Sequence, residues 1–140
     1  MADQSTWGTL IKQAHDELER NANNSMRAYD ITMAQYNALL ALGNCADGQL
    51  SLKELERMLH VAQSTAAGVI GRLEQKGLVE TFGNTGDRRI KMVRITPSGT
   101  ECCRRADQDM SCAEEALLSG LTETEREIFL LLLKKVCRTL

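Results

Sequence analysis

The stretch SLKELERMLHVAQSTAAGVIGRLEQKGLVETFGNTGDRRIKMVRITPSG, from Ser51 to Gly99, decides the fold. Ser51 to Glu54 has capping-box spacing and opens a short helix with Leu52, Leu55 and Leu59 facing inward. Gln63-Ser64-Thr65 starts a second helix that runs through Gln75, with Val69, Ile70 and Leu73 inward. Gly77 sits where a glycine ends a helix in the left-handed conformation. Leu78 to Phe82 alternates like a strand, Gly83 to Asp87 is a turn-rich loop, and Ile90 to Thr96 alternates again. In that last run Ile90, Met92 or Val93, and Ile95 are apolar. Two short helices meeting at a tight turn and followed by a hairpin predict a winged helix-turn-helix.

On the N-terminal side, Trp7, Leu10, Ile11, Ala14 and Leu18 recur at helical spacing, and Asn21, Asn23 and Asn24 predict fraying or a bend. Thr32 to Gln35 is another capping box, followed by the apolar Tyr36, Leu39, Leu40 and Leu42 and closed at Gly43-Asn44. On the C-terminal side, Thr96-Pro97 starts a long helix reaching Leu118. Ser119-Gly120 ends it, and Thr122 to Glu125 caps a final helix. The expected fold is mainly α with a small β-hairpin wing, a winged helix-turn-helix carrying N- and C-terminal dimerisation helices. The expected organisation is a single domain over 1–140, with the core at 32–96 and dimerisation helices at 1–25 and 97–140.

Composition narrows the function. A chain of 140 residues, 43% apolar and 26% charged, is ordinary for one globular domain. The longest strictly apolar run, Ile128 to Leu133, is too short to span a bilayer. MADQSTWGTL has no basic patch ahead of an apolar stretch, so a cytoplasmic location is expected. No phosphate-binding glycine loop and no nucleophile–base motif is present, which argues against an enzyme, and no cofactor is expected. Net charge is −2, yet Ser51 to Thr96 holds eight basic and five acidic residues, so it carries +3 and the rest −5. A basic reading head on an acidic body is the expected pattern for a duplex binder.

A helix of about 12 residues fits the major groove. Here it presents Gln63, Ser64, Thr65, Ala67, Gly68 and Arg72: short polar groups for bases and phosphates, and small residues for close approach. Ser51 and Lys53, at the start of the preceding helix, join this candidate set. Arg88, Arg89 and Lys91 add positive charge at the hairpin, beside Asp87.

At this point the chain resembles the MarR family. The matching pieces are STAAGVIGRLEQKGLV (Ser64 to Val79), DRR (Asp87 to Arg89), ITPSG (Ile95 to Gly99) and LTETEREIFLLLLKKV (Leu121 to Val136). The resemblance implies a homodimer that binds double-stranded DNA, often released by small ligands or oxidants. It also implies that Arg89 enters the minor groove while Asp87 orients it, leaving Arg88 and Lys91 as phosphate contacts. One departure is Gly68, where many relatives carry an arginine. The implied ligand pocket lies between the dimer helices and the reading head, and Trp7, Ile11, His15, Met33, Tyr36 and Met58 are its candidates for an aromatic or amphipathic effector. Simple core packing is the competing reading of those six.

For dimerisation, Cys103, Ala106, Met110, Ala113 and Leu117 follow a heptad-like rhythm. Ile128 to Leu133 is apolar on all sides, so more than one face is expected to be buried, against the N-terminal helix and a second chain. Ile128 and Leu132 are the candidates there, and packing within one chain is the competing reading.

Five cysteines raise a thiol-switch alternative. Arg104 and Arg105 beside Cys102 would help depress its pKa. The resemblance weakens this, because peroxide-sensing relatives use a cysteine in the N-terminal helix and none stands there. His15 and His60 lie in no His/Cys cluster, so no metal site is expected. A winged domain that binds protein rather than DNA is the other alternative. The expectation is a repressor released from a pseudo-palindromic operator by a small ligand.

Overall fold

The computed structural model describes residues 5–140; the first four residues of the expected N-terminal dimerisation segment lie outside the described residues. Six helices and three strands follow in the order α1 (Trp7–Ala28), α2 (Met33–Gly43), β1 (Gln49–Ser51), α3 (Leu52–Leu59), α4 (Gln63–Gln75), β2 (Val79–Gly83), β3 (Lys91–Ile95), α5 (Pro97–Leu117) and α6 (Glu123–Arg138).

Local chemistry sets most boundaries. Thr32 and Gln35 form a reciprocal capping box, as do Thr122 and Glu125. Thr96 caps α5, with Pro97 in the first helical position. At Ser51 only half of the expected box forms: its hydroxyl accepts from Glu54 N at 3.1 Å. Gly77, at φ 73°, ends α4 with paired bonds from Gly77 N to Glu74 O and from Leu78 N to Leu73 O, both 3.0 Å. His60, at φ 54°, turns the chain between α3 and α4 in the same left-handed way.

Three sequence expectations change. First, α1 runs unbroken through Asn21, Asn23 and Asn24. Its last turns are held from outside: Ala22, Ser25 and Met26 are buried, and Asp109 of α5 accepts from Ser25 Oγ at 3.0 Å and Tyr29 OH at 2.8 Å. Tertiary packing outweighs weak propensity here. Second, the sheet has three strands, not two, in the order β1-β3-β2. β1 pairs Gln49, Leu50 and Ser51 with Arg94, Val93 and Met92. Third, Ile90 is not an inward strand residue. Its N–H donates to Asp87 O at 3.0 Å and its carbonyl accepts from Asn84 N at 2.9 Å, which closes the wing loop and leaves the side chain exposed. Between Met92 and Val93, it is Val93 that is buried.

The core gathers Leu39, Leu42, Leu55, Ile70, Leu73, Val79 and Val93, all fully buried. Each such side chain contributes about 1.5–3 kcal/mol relative to exposure. α1 packs along α5 over this core. Cys103 and Ala106 are buried in it, and Met110 packs against it, so this part of the heptad-like rhythm faces the chain's own interior. The expectation that Cys103 and Ala106 meet a partner helix is corrected accordingly, whereas Met110 stays half-exposed. Tyr36 is also core, its hydroxyl donating to Asp107.

α6 behaves differently. None of its residues is buried, and Ile128 through Leu133 all stand exposed. It is tied back to the end of α5 by Arg126, whose guanidinium donates to Leu118 O at 3.2 Å and Glu115 Oε2 at 2.6 Å. Among the described residues, the expected cover from the N-terminal helix is not supplied, and Trp7, Leu10 and Ile11 are exposed as well.

Candidate nucleic-acid interface

The starts of α3 and α4 and the loop end of the wing converge on one cleft of about 360 Å³. Lys53 and Glu56 reach it from α3, Gln63 from α4, and Arg89 and Lys91 from the wing. The turn at His60 makes this convergence possible, since it folds α4 back beside α3 within three residues. Leu52 and Ile90 supply apolar wall.

Arg89 is posed in advance. Its backbone N–H and Nε donate to Asp87 Oδ1 at 3.0 and 3.2 Å, and its terminal nitrogen to Asp87 Oδ2 at 3.4 Å. The guanidinium and backbone bonds hold the Asp87 carboxyl below the usual carboxylate range. The Arg89 side chain is nonetheless 92% exposed, so the pair projects from the wing tip with donors to spare. Arg94, by contrast, is spent on the sheet surface. It pairs with Glu80 at 3.0 Å and lies 4.8 Å over the Phe82 ring.

The other sequence candidates distribute as follows. Ser64, Thr65, Ala67 and Gly68 are exposed on α4. A Cβ at Gly68 would meet nothing within 4 Å, so the space beside it is open. Arg88 is exposed on the wing. Ser51 is a correction. It lines the cleft, but it is buried and its hydroxyl accepts the cap bond of α3, so it seats that helix and is not free to reach outward. Arg72 faces away from the wing, into a cleft bordered by α1 and α2. Glu56 was missed, because an acid on a short amphipathic helix gives no sign that it will face three cations.

The six ligand candidates are not brought together. Trp7 is 87% exposed, Ile11 and His15 are exposed on the same face region of α1, Met33 and Met58 stand exposed on α2 and α3, and Tyr36 is in the core. They are spread over α1, α2 and α3, and Tyr36 alone of the six is buried. Among the dimerisation candidates, Leu117, Ile128 and Leu132 are exposed and Ala113 is half-buried.

Cys102 and Cys103 do not match a low-pKa sensor. Burial pushes Cys102 up against the opposing influence of Lys76 and Arg105. Arg104 is committed to Glu101, at 2.7 and 2.9 Å. Cys103 is pushed up to about 11 by burial and by Asp107. Cys45 is half-buried, and Cys112 and Cys137 are exposed. His15 does meet carboxylates: its ring, Asp16 and Glu19 lie within 4.8 Å of one another on exposed α1 surface. Lys12 already holds Asp16 at 2.7 Å.

Among the described residues, no helix is long and apolar enough to cross a membrane. The MarR family model matches residues 29–90. The multiple antibiotic resistance protein MarR of Salmonella typhimurium is 32% identical over 133 residues, covering 92% of this chain and 89% of the relative. The structure is similar to wild-type apo MarR from E. coli, with a TM-score of 0.79 at 29% identity over 96% of this chain and 98% of that one. It is also similar to a mutant MarR from E. coli complexed with operator DNA, with a TM-score of 0.69 at 31% identity over 92% and 91% of the two chains.

Proposed function

Because the chain belongs to the MarR family of DNA-binding transcription regulators, we propose that it works as a homodimeric repressor on a pseudo-palindromic operator and leaves it when a small ligand binds. Residues 32–96 form the reading head, and α1, α5 and α6 form the dimerisation body. α4 lies in the major groove, with Gln63, Ser64, Thr65, Ala67 and Gly68 toward the bases. Arg89 enters the flanking minor groove, where narrow width concentrates negative potential. Lys53, Arg88 and Lys91 neutralise phosphates.

The observation that carries this reading is the exposed Arg89 held by Asp87 beside the cleft that also gathers Lys53, Gln63 and Lys91. The uncovered apolar residues of α6 support the homodimer. Two heads related by a two-fold axis would meet successive major grooves about 34 Å apart. A small aromatic or amphipathic effector acts on such a dimer through its differential affinity for head spacings that do and do not fit DNA.

The test is a duplex titration with the DNA upstream of the protein's own gene, over a salt series, with Arg89→Ala in parallel. Tight binding that weakens steeply with salt, and a substitution that costs about tenfold and lowers the slope of log K by about 1, are expected. Binding no better than to random duplex, unchanged by Arg89→Ala, refutes the proposal.

A further inference from the structure

Arg72 lies at the far end of α4 from the wing, and it has company. A cleft of about 660 Å³ opens where the end of α1, the start of α2 and the last turns of α4 meet, and Arg27, Arg72 and Lys76 share its wall. Lys76 is fixed there, its ammonium donating to the Asp30 carbonyl and, at 3.1 Å, to Gln35 Oε1. Arg27 and Arg72 take part in no ion pair among the described residues. Thr32 and Gln35, also in the wall, are spent on the capping box of α2. Asp30 is the one acid in the wall. Three cations against one carboxylate repel one another in the free chain, and an anion relieves that repulsion.

We infer that Arg27, Arg72 and Lys76 grip the sugar-phosphate backbone of the second DNA strand, on the side of the major groove away from the wing. The inference rests on the reading of α4 as the helix in that groove. A helix in a groove is bordered by a phosphate strand on each side. The wing cleft, with Lys53, Arg89 and Lys91, serves one. Gln63 and Arg72 are nine residues apart, about 13 Å of helical rise, and the groove is about 12 Å wide. The two basic clefts therefore flank opposite ends of α4. Arg27 belongs to α1, so this contact joins a dimerisation helix directly to the duplex.

Phosphate contacts ignore sequence, so the test needs no operator. The full-length protein is titrated with a random-sequence duplex of about 30 base pairs over a salt series, using wild type, Arg27→Ala, Arg27→Lys and Arg89→Ala. Arg27→Ala is expected to weaken binding about tenfold at low salt and to reduce the log–log salt slope by about 1, with Arg27→Lys restoring both. If Arg89→Ala weakens binding while Arg27→Ala matches wild type in affinity and slope, the second cleft is not a backbone contact and the reading head stands. A loss that Arg27→Lys does not rescue also overturns the inference. If wild type binds no duplex, the reading head and this contact fall together.

Discussion

Leu132→Ala should loosen the proposed homodimer, and the size of the effect follows from its surroundings. Leu132 is 52% exposed in the single chain. Burying a whole leucine side chain contributes about 1.5–3 kcal/mol, so covering the exposed half contributes about 1 kcal/mol. A two-fold interface uses the residue twice, which makes about 2 kcal/mol per dimer. That is about a 30-fold rise in the dimer dissociation constant. Alanine is the best helix former, so α6 itself does not weaken and the change reports on the interface. Sedimentation equilibrium over the micromolar range reads the constant directly, and Lys134→Ala on the same helix serves as a surface control. An unchanged constant would mean that Leu132 meets no partner. A wild-type chain that stays monomeric at the highest concentrations would refute the reasoning for the whole of α6.

Three further outcomes are expected. Gly68→Arg has open space to occupy and should tighten duplex binding about tenfold while adding about 1 to the salt slope; unchanged titrations would show that this face of α4 does not approach DNA. Gly99→Ala should cost about 3 kcal/mol in urea unfolding, because a Cβ there collides with the Leu78 carbonyl and falls 2.8 Å from Ile95 Cγ1; a midpoint like wild type would argue against the close packing of α5 on the wing root. Stability should fall as the pH rises from 9.0 toward 11, since folded Cys103 keeps a proton that the unfolded chain releases across that window. Tyr36, also pushed up by burial and Asp107, acts in the same direction. Cys103→Ala should flatten that decline, and iodoacetamide at pH 8 should modify Cys112 and Cys137 before Cys103.

The parts of the fold that sequence makes legible are those written in adjacent residues. Thr32 with Gln35, Thr122 with Glu125, Thr96 with Gly99 ahead of a helix that Pro97 opens, and Gly77 each fix a helix end through bonds a few positions apart, and the structure has those ends. What escapes is decided by distant partners. β1 is three residues long and exists because β3 accepts it as a neighbour. The asparagines of α1 are overridden by packing on α5 that no local pattern encodes. The small residues Cys103 and Ala106 suit a helix neighbour inside the chain as well as outside it, and periodicity cannot tell the two apart. At the wing, the Asp87–Arg89 pairing is what the family resemblance implies, and the two residues, two positions apart, do bond. Arg27, some 45 residues from Arg72, carries no mark of the cleft they share. A pocket for a ligand is a tertiary object, and six residues on several helices did not make one.

β3 is bonded on both edges, to β2 through the wing and to β1 on the other side, and β1 runs without a break into α3. Gly99 N, at the start of α5, donates to the Thr96 hydroxyl that itself donates to Gly77 O at the end of α4. Wing, reading helices and the foot of α5 are thus geared together. Under the proposed function, a signal would then turn the head as one lever, with both grooves engaged or both released.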